Sequence, residues 1–540
     1  HVQALRPVGK SDGMNYIEHY AGDLRQGDPA GVPAATPLLL AAKYGGFLDA
    51  NGDANPFKSA TGSAFDEWSL DGRWPAHYLP GSDPAALVAG LRAAFAAADK
   101  GTLAVTLPGP AQMRLADGSM TLSRSAFSVG ADGALLPGKP WWRTGAVNLL
   151  APDGTPAALR PVYTLDARGA LMPLAWKRLD AEQRDAFDGG DGRGEARLAY
   201  LLGQRTHEAG QPGGFLRRRS GSLGAAPHGN LLYVGAPGLG MPGAGYGAHR
   251  KALLQRRKML YVGANDGLLH AFDARTGGEL FAYLPQALLH AAPAAASTHY
   301  SPGPLLDGAA ATAEVLAAGR WKTVLVSGMG GGAQGVFALD ITDPLRFAQD
   351  GALWEFTDRD DKLMGNVRAP PAFARIDMGG KEGAPAYRDF AIVASGYNNQ
   401  MNDGKETMAP AAAAAIFLLA LDKAPGTPWA LGNNYFRLKV PVASGGGGGH
   451  DTDADAMPHA LGPPAVVPGA GGALAYLYAG DMQGNIWRFD MAGGPPWKEG
   501  QGRKLVFVAR DAQGRRQPVT QQLKVAYAPD GGYLLLFGTG

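Results

Sequence analysis

Hydrophobic and polar residues form blocks that recur along the C-terminal part of the chain. In residues 261–273 an apolar segment is interrupted by an Asn-Asp-Gly turn and then resumes, ending on Asp273. Because Asn, Asp and Gly tolerate the positive φ of a tight turn, this block predicts a hairpin of two β-strands. A related block returns in residues 478–490, where a Gly-containing polar turn again separates two apolar segments and the second ends on an aspartate.

Two weaker copies of this hairpin lie between these blocks, in residues 324–340 and 392–422. Residues 231–236 and 533–538 are similar to single strands of further copies. We count about six or seven units from residue 215 onward, and a hairpin that recurs in this way is typical of propeller blades. The sequence therefore predicts a mainly β fold with a β-propeller of about seven blades. The alternative is a β-sandwich, which gives no reason for four matching hairpins.

The N-terminal part has a different pattern and predicts a smaller mixed α/β region. Residues 37–47 predict a short helix that ends at two glycines, and a second helix begins at Asp83. A β-rich stretch follows, and residues 186–195 have the Gly- and Asp-rich composition of a linker. We therefore divide the chain into a mixed α/β region at 1–102, a β-rich connecting region with the linker at 103–195, and the propeller at 196–540.

Composition and charge narrow the range of partners. The 540 residues include 79 glycines and 40 prolines, and 46% of the chain is hydrophobic, which suits a strand-rich globular protein. The formal net charge of +2 gives no global field for nucleic acid, so we expect no nucleic-acid partner. Cysteine is absent, which excludes disulfides and thiol catalysis. The apolar stretches are too short for a spanning helix, so we expect no transmembrane segment.

Six segments of the chain occur in one order, and this combination is a more specific indication of a protein family than any one hairpin alone. They are residues 40–47, 215–220, 261–280, 335–344, 354–356 and 478–490. In this combination the chain resembles the PilY/PilC family of type IV pilus tip-associated adhesin and biogenesis proteins. The resemblance implies an exported protein of the periplasm, the outer membrane and the cell surface at the pilus tip. It also implies minor pilins as partners, which the protein binds to prime or cap the pilus, and a host or abiotic surface as a further partner.

Calcium is the one cofactor that the sequence leaves open. The resemblance implies a calcium loop just before residues 478–490, where six to eight oxygen ligands are needed. Here that place is residues 465–476, which contain no carboxylate and carry Pro468 where the first ligand is expected, so we predict that the family site is lost between Pro468 and Tyr476.

Two other acidic loops have the alternate spacing of oxygen ligands that calcium requires. One contains Asp49, Asn51 and Asp53, and the other contains Asp451, Asp453 and Asp455. Both lack the distal glutamate of a complete calcium loop. The alternative is an Asx turn for the first loop and a solvated, glycine-flanked loop for the second. We also expect partner contacts in the long loops at 397–412 and 441–463.

The remaining polar residues of the hairpins are predicted to be structural. Strand-terminal aspartates can accept the backbone N–H groups of the following turn, and a lone strand histidine is usually packed or hydrogen-bonded. This prediction covers His270, Asp273, Asp340, Asp422 and Asp490. The glycine runs at 328–335 and 445–449 lack the lysine and hydroxyl residue of a phosphate-binding loop, so we interpret them as hairpin loops.

A quinoprotein-type dehydrogenase is the enzymatic alternative, since quinoprotein-like propellers also carry tryptophan hairpins such as the one at Trp487. In that family the tryptophan recurs in most blades, and the adjacent cysteine pair cannot form in this chain. The sequence also contains no nucleophile elbow and no metalloprotease motif. We therefore predict a binding protein without catalytic residues. A third hypothesis is an exported propeller scaffold for outer-membrane assembly.

Overall fold

The computed structural model describes most of the chain beyond residue 158 and isolated strands before it. The described ranges are 159–219, 223–226, 230–238, 243–379, 386–399, 413–440, 460–469, 472–495, 497, 502–528 and 531–539, with residues 66, 68 and 69 and the strands β1 to β7 named below. The predicted helices at 37–47 and after Asp83 lie outside the described residues.

The chain divides into two units, His1–Val105 with Phe127–Pro137, and Thr106–Ala126 with Gly138–Gly540. In the first unit, β1 (Gln3–Ser11) pairs with β2 (Met14–Ala21), and β5 (Phe127–Val129) pairs with β6 (Leu135–Pro137), both antiparallel. In the second unit, β3 (Gln112–Ala116), β4 (Ser119–Ser123) and β7 (Trp142–Thr144) form a three-stranded sheet. Next come the hairpin of β8 (Val162–Leu165) and β9 (Leu171–Pro173), and the helices α1 (Ala181–Asp188) and α2 (Gly194–Leu201).

Four sheets then follow one another along the chain, and each takes four consecutive antiparallel strands in order. Blade 1 contains β10 (Leu232–Val234), β11 (Met259–Gly263), β12 (Leu269–Asp273) and β13 (Glu279–Tyr283); blade 2 contains β14 (Ala310–Ala317), β15 (Arg320–Gly328), β16 (Gly335–Asp340) and β17 (Ala352–Thr357); blade 3 contains β18 (Ala372–Asp377), β19 (Tyr387–Ala394), β20 (Ala414–Ala420) and β21 (Tyr435–Val440); blade 4 contains β22 (Ala465–Pro468), β23 (Leu474–Gly480), β24 (Asn485–Asp490) and β25 (Arg503–Val508). A two-stranded sheet of β26 (Lys524–Tyr527) and β27 (Tyr533–Leu536) comes last. This succession of meanders is a β-propeller, so the predicted fold class is confirmed.

The four predicted hairpins are the two middle strands of the four blades. They correspond to the pairs β11–β12, β15–β16, β19–β20 and β23–β24, all antiparallel. The described residues contain four four-stranded blades and one two-stranded sheet in this part of the chain. The figure of about seven blades therefore stays a prediction.

The hydrophobic cores lie between successive blades, because each middle strand is buried on both faces. In β20, Phe417 and Leu419 join the core shared with blade 2, whereas Ile416 and Leu418 join the core shared with blade 4. Successive side chains of a strand point to opposite faces, so one apolar strand supplies two cores. This explains why the second strand of each hairpin is a nearly continuous hydrophobic run rather than an alternating one.

Blade 1 is larger than the others because β8 pairs in parallel with β13 and extends the sheet to six strands. Short helical segments connect the remaining elements. They are α3 (Tyr246–Ala252), α4 (Phe347–Asp350) and the 3-10 turns Trp176–Arg178, Gln286–Leu288, Ala292–Ala296 and Pro344–Arg346. Among the described residues, none of these helices has the length and apolar character needed to cross a membrane.

Residues 186–195 form the end of α1 and the start of α2, not the extended linker that we expected. The Asp180 carboxylate accepts from the Gln183 N–H at 2.9 Å, and the Gln183 side chain accepts from the Asp180 N–H at 3.2 Å, which caps α1. Phe187 and Leu198 are buried in the core between blades 1 and 2. Three of the glycines that indicated a linker, Gly189, Gly190 and Gly192, have positive φ and make the tight turn between two packed helices. The division of the chain at residues 102 and 195 stays a prediction.

Candidate functional site

The two acidic loops proposed for calcium lie outside the described residues. This applies to Asp49, Asn51 and Asp53 and to Asp451, Asp453 and Asp455. Most of the two long loops is also outside, at residues 400–412 and 441–459. The calcium ligands and the partner contacts assigned to these segments therefore stay predictions.

The position of the family's calcium loop falls between β22 and β23. Pro468 is the last residue of β22, and a β-bulge separates Val467 from Pro468 where the two strands pair. Among the described residues, no group of three or more His, Asp or Glu side chains is placed to hold a metal ion. The loss of the family site stays a prediction made from the sequence.

Three of the four strand-terminal aspartates make the turn contact that we predicted. Asp273 accepts from the backbone N–H of Arg275 at 2.8 Å, and Asp340 and Asp490 accept equivalent bonds, each at 3.0 Å, from the residue two positions later. Asp422 differs, since its carboxylate pairs with Arg388 at 2.8 Å instead. These aspartates therefore stabilise the blades and are not a shared site.

The glycine run at 328–335 is the β15–β16 hairpin loop, as predicted. Its Gly331 N–H donates to the Asp307 carboxylate at 2.6 Å, and Gly330 has a φ of 67°. A Cβ on Gly330 would lie only 2.0 Å from the Asp307 carboxylate oxygen, so only glycine is accommodated there. The loop therefore encloses a carboxylate of the chain itself.

A buried ionic cluster lies in the strongest hairpin and contains His270. The His270 ring lies 2.6 Å from a Glu279 oxygen through Nδ1 and 3.2 Å from an Asp266 oxygen through Nε2. The Arg160 Nε donates to the other Glu279 oxygen at 2.8 Å. All four side chains are buried, so His270 occupies the packed and hydrogen-bonded position that we predicted.

Two further bonds connect this cluster to segments outside the hairpin. The Gly224 N–H donates to the second Asp266 oxygen at 2.9 Å, and Arg160 Nη1 donates to the Leu201 carbonyl oxygen at 3.2 Å. The cluster therefore joins the segment before β8, the last residue of α2, the segment before β10 and blade 1. No cavity opens onto this cluster among those found in the described part of the chain.

The charges of this cluster balance. Burial alone would lower the pKa of His270, but the facing carboxylates of Asp266 and Glu279 outweigh it and raise that pKa to about 9. Burial would raise the pKa of Asp266, yet His270 and Arg160 hold it at about 2. Burial would also raise the pKa of Glu279, but Arg160 and His270 outweigh it and lower that pKa. With two cations and two anions, the cluster carries no net charge at neutral pH, which makes its burial tolerable.

A cavity of about 820 Å³ lies beside blades 1, 2 and 3. Its walls come from the β8–β9 turn, the segment after β13, two parts of blade 2 and the loop between β20 and β21. The lining residues fall within 165–169, 286–290, 332–334, 353–360 and 423–429. This volume lies in the range of small-molecule sites, roughly 300–1,000 Å³.

Two indoles and a carboxyl group form one wall of this cavity. The rings of Trp354 and Trp429 meet edge to face with their centroids 5.2 Å apart. Trp429 Nε1 donates to the Glu355 carbonyl oxygen at 2.7 Å, which fixes the ring. The Glu355 carboxylate accepts from the Tyr283 hydroxyl at 2.5 Å and from the Gln286 N–H at 2.8 Å. Desolvation nevertheless raises the pKa of Glu355.

Three cationic side chains line the cavity, Arg168, Arg359 and Lys423, and of these Lys423 is buried, with 7% of the residue exposed. Its ammonium lies 4.8 Å from the centre of the Trp429 ring, a cation–π contact. Burial lowers the pKa of Lys423, although the charge of Asp360 acts in the opposite direction. Sequence reasoning missed this residue, because Lys423 directly follows a strand-terminal aspartate and looks like an ordinary solvated loop lysine.

The fold and this cavity define a β-propeller protein with a ligand-sized site beside its first three blades. Residues 224–426 match the family model described as the PilY1 beta-propeller domain, which spans blades 1 and 2 and most of blade 3. This match, together with the relatives described next, supports the PilY1 family of type IV pilus proteins, which the sequence motifs indicated.

Relatives in two organisms extend this similarity. A "Type IV pilus biogenesis factor PilY1 homolog" of Xylella fastidiosa (strain Temecula1 / ATCC 700964) is 28% identical over 563 residues, which cover 100% of this chain and 41% of that protein. A second homolog of that strain is 32% identical over 289 residues, covering 52% of this chain and 18% of that protein. The "Type IV pilus biogenesis factor PilY1" of Pseudomonas aeruginosa (strain UCBPP-PA14) is 28% identical over 444 residues, covering 74% of this chain and 34% of that protein. The chain therefore spans less than half the length of each of these relatives.

Among solved structures, the crystal structure of the Pseudomonas aeruginosa PilY1 C-terminal domain is similar at 27% identity with a TM-score of 0.43. The similarity covers 57% of this chain and 59% of that domain.

Proposed function

We propose that this chain is the propeller part of a type IV pilus biogenesis factor, and that it binds minor pilins to prime or cap the pilus. The observation that carries the proposal is the match of residues 224–426 to the PilY1 beta-propeller domain, together with relatives named as pilus biogenesis factors. These names also support a location in the cell envelope or outside the cell. We place the protein at the pilus tip, and we include contact with a host or abiotic surface in the same proposal.

The architecture suits a binding role. Three hydrophobic cores of the propeller are each shared by two neighbouring blades, so the sheets form a stiff support for the loops at their ends. Loops held by a rigid scaffold are the usual positions of partner contacts. The indole N–H of Trp487, whose hairpin carried the enzymatic alternative in the sequence, donates to the Asp481 carboxylate within the fold at 2.9 Å. A scaffold for outer-membrane assembly has no such specific support.

The test is to mix the purified chain with the minor pilins of its organism and to analyse the mixture by size-exclusion chromatography with light scattering. We expect a co-eluting complex of defined mass, both with and without a calcium chelator. An unrelated propeller of similar size serves as the control for non-specific association.

Each outcome bears on a different part of the proposal. A complex that forms only without the chelator would contradict the predicted loss of the family's calcium site or locate a calcium ion in one of the other acidic loops. If no complex forms in either condition, the proposed pilin binding by this part of the protein is wrong.

A further inference from the structure

We propose that a second cavity, at the inner edge of blades 3 and 4, docks an extended segment of a partner protein, which inserts an aromatic side chain and carries a carboxylate next to it. This cavity has a volume of about 500 Å³. The inference does not depend on the proposed binding of pilins, because it rests on the chemistry of the groups that line the cavity.

The cavity lies where the innermost strands of the propeller begin. The first strands of blades 3 and 4, β18 and β22, contact each other, and β22 contacts β26 in turn, as strands around the axis of a propeller do. The segments that lead into these three strands, residues 367–371, 461–464 and 520–522, line the cavity. Pro370 and Tyr397 of its wall are exposed, so the cavity is open to a partner from solvent.

Proline rings form two matching parts of this wall. Residues 370–372, with the sequence Pro-Pro-Ala, lead into β18, and residues 463–465, with the same sequence, lead into β22. Proline-rich segments are commonly recognised by grooves that are lined with aromatic side chains, because the two kinds of ring pack well together. A cavity whose wall is itself made of proline therefore fits an aromatic ring that the partner supplies.

The same wall carries hydrogen-bond acceptors that suit a peptide. The carbonyl oxygens of Pro370 and Pro463 accept no hydrogen bond from the described part of the chain. The Pro464 carbonyl oxygen, in contrast, accepts from the Gln522 side chain at 2.9 Å. An extended peptide has one backbone N–H for each residue other than proline, so it can donate to such carbonyls while its side chain enters the cavity. This favours a segment of a protein over a free aromatic acid.

The charge of the wall indicates an acidic segment. Arg368 and Lys524 line the cavity, and among the described residues no Asp or Glu side chain does so. The Arg368 guanidinium lies 3.5 Å from the buried Asp307 carboxylate, which offsets part of its charge. Lys524 is exposed and makes no ion pair with a described residue. The open positive charge is therefore that of Lys524, and a carboxylate beside the inserted ring complements it.

The test is the fluorescence anisotropy of a labelled peptide, Gly-Asp-Phe-Asp-Gly, titrated with the purified chain. One matched peptide replaces the phenylalanine by alanine, and a second replaces both aspartates by lysine. Unlabelled N-acetylphenylalanine is added as a competitor, and it tests whether the aromatic acid alone is sufficient for binding.

Lys524→Glu reverses the charge of the wall, Pro463→Ala removes one proline ring, and Lys504→Glu reverses an exposed lysine of β25 that does not line the cavity. We expect Lys524→Glu to weaken binding of the acidic peptide by about fivefold and to strengthen binding of the lysine peptide. Pro463→Ala should weaken binding of the phenylalanine peptide, and Lys504→Glu should leave its affinity unchanged. Circular dichroism checks that each variant is folded, and Lys524→Gln replaces Lys524→Glu if that variant does not fold.

Each outcome either supports the proposal or overturns it. Binding of the acidic phenylalanine peptide that Lys524→Glu weakens, together with a shift of that variant toward the lysine peptide, supports it. Failure of the acidic peptide to bind at millimolar concentration, or binding that Lys524→Glu leaves unchanged, would overturn it. Equal binding of the alanine peptide would overturn the insertion of an aromatic ring. Equal binding of N-acetylphenylalanine would overturn the docking of a protein segment, since the cavity would then be a site for a small aromatic acid.

Discussion

The hairpins at residues 261–273 and 478–490 have equal length and similar sequence, yet different side chains donate to their buried turn carboxylates. In blade 1, Asp266 bonds to His270 and also to the Gly224 N–H, which lies 42 residues away. In blade 4, Asp481 accepts from the side chains of Asn485 and Trp487, both at 2.9 Å and both within the same hairpin.

This difference distinguishes hydrogen bonds within one hairpin from hydrogen bonds to distant segments of the chain. In blade 4, two side chains of the same hairpin donate to the carboxylate, and Arg516 from outside the hairpin donates to Asn485 Oδ1 at 2.9 Å. The blade 1 hairpin depends on Arg160, which lies 119 residues before Glu279. Blade 1 is therefore the place where the segment before β8 and the end of α2 are joined to the propeller, and its cluster should be the more sensitive of the two.

The largest effect is expected from Glu279→Ala. The change removes the carboxylate that pairs with both Arg160 and His270, and breaking a buried ion pair typically costs about 3–5 kcal/mol of unfolding free energy. Chemical denaturation followed by tryptophan fluorescence measures the loss. Asp350→Ala removes a carboxylate from the exposed pair with Arg346 and is the matched control. That variant should cost less than about 1 kcal/mol. Equal losses for the two variants would contradict the importance of the blade 1 cluster.

A smaller loss is expected from Asp481→Ala in blade 4. The backbone N–H groups of Gln483 and Asn485 and the indole N–H of Trp487 all lose a charged acceptor. Because these donors lose one shared acceptor, we expect a cost of about 2–3 kcal/mol in unfolding free energy, measured in the same denaturation experiment. The fluorescence of Trp487 should change as well. If Asp481→Ala costs more than Glu279→Ala, the distinction between the two hairpins is wrong.

Much of the propeller was predictable because its signals are local. A Gly-containing turn between two apolar strands determines a hairpin without help from distant residues, and all four predicted hairpins are present. The partners of His270 were not predictable, since nothing in the sequence links Arg160 to Glu279. Lys423 was missed for the same reason, because its burial depends on three blades packing together. The prediction of a linker at 186–195 was wrong because glycine composition alone does not distinguish a spacer from a tight turn between packed helices.

Gly267 and Gly484 occupy equivalent turn positions in the two hairpins, and replacing them should reveal a smaller difference in unfolding free energy. Gly267 and Gly484 have φ values of 86° and 77°, so alanine is strained at both positions. A Cβ on Gly484 would lie 2.5 Å from the Gln517 carbonyl oxygen, whereas the nearest atoms to one on Gly267 are side-chain carbons at 3.5 Å. We therefore expect Gly484→Ala to cost about 2 kcal/mol more than Gly267→Ala in unfolding free energy. Thermal unfolding of the two variants decides this, and equal losses would show that the backbone near Gln517 moves aside.

The dependence of stability on pH is the most gradual of the expected effects, and it should come from blade 1. The pKa of His270 is raised to about 9 in the folded protein from an ordinary value of 6.5. Between these values the folded state keeps a proton that the unfolded state has lost. The stabilisation is therefore complete below about pH 6.5 and disappears as the pH rises through about 9, with a slope of about 1 kcal/mol per pH unit.

The control for this slope is His270→Gln, which keeps a polar side chain at the position and removes its titration. The unfolding free energy of the wild-type chain should fall between pH 7 and pH 9, and the slope of the variant should be shallower by the contribution of one proton. Asp481→Ala should keep the wild-type slope, because its hairpin contains no group that titrates with His270. A slope that survives His270→Gln unchanged would mean that the dependence arises elsewhere in the chain, and that the blade 1 cluster does not hold its histidine in the charged form.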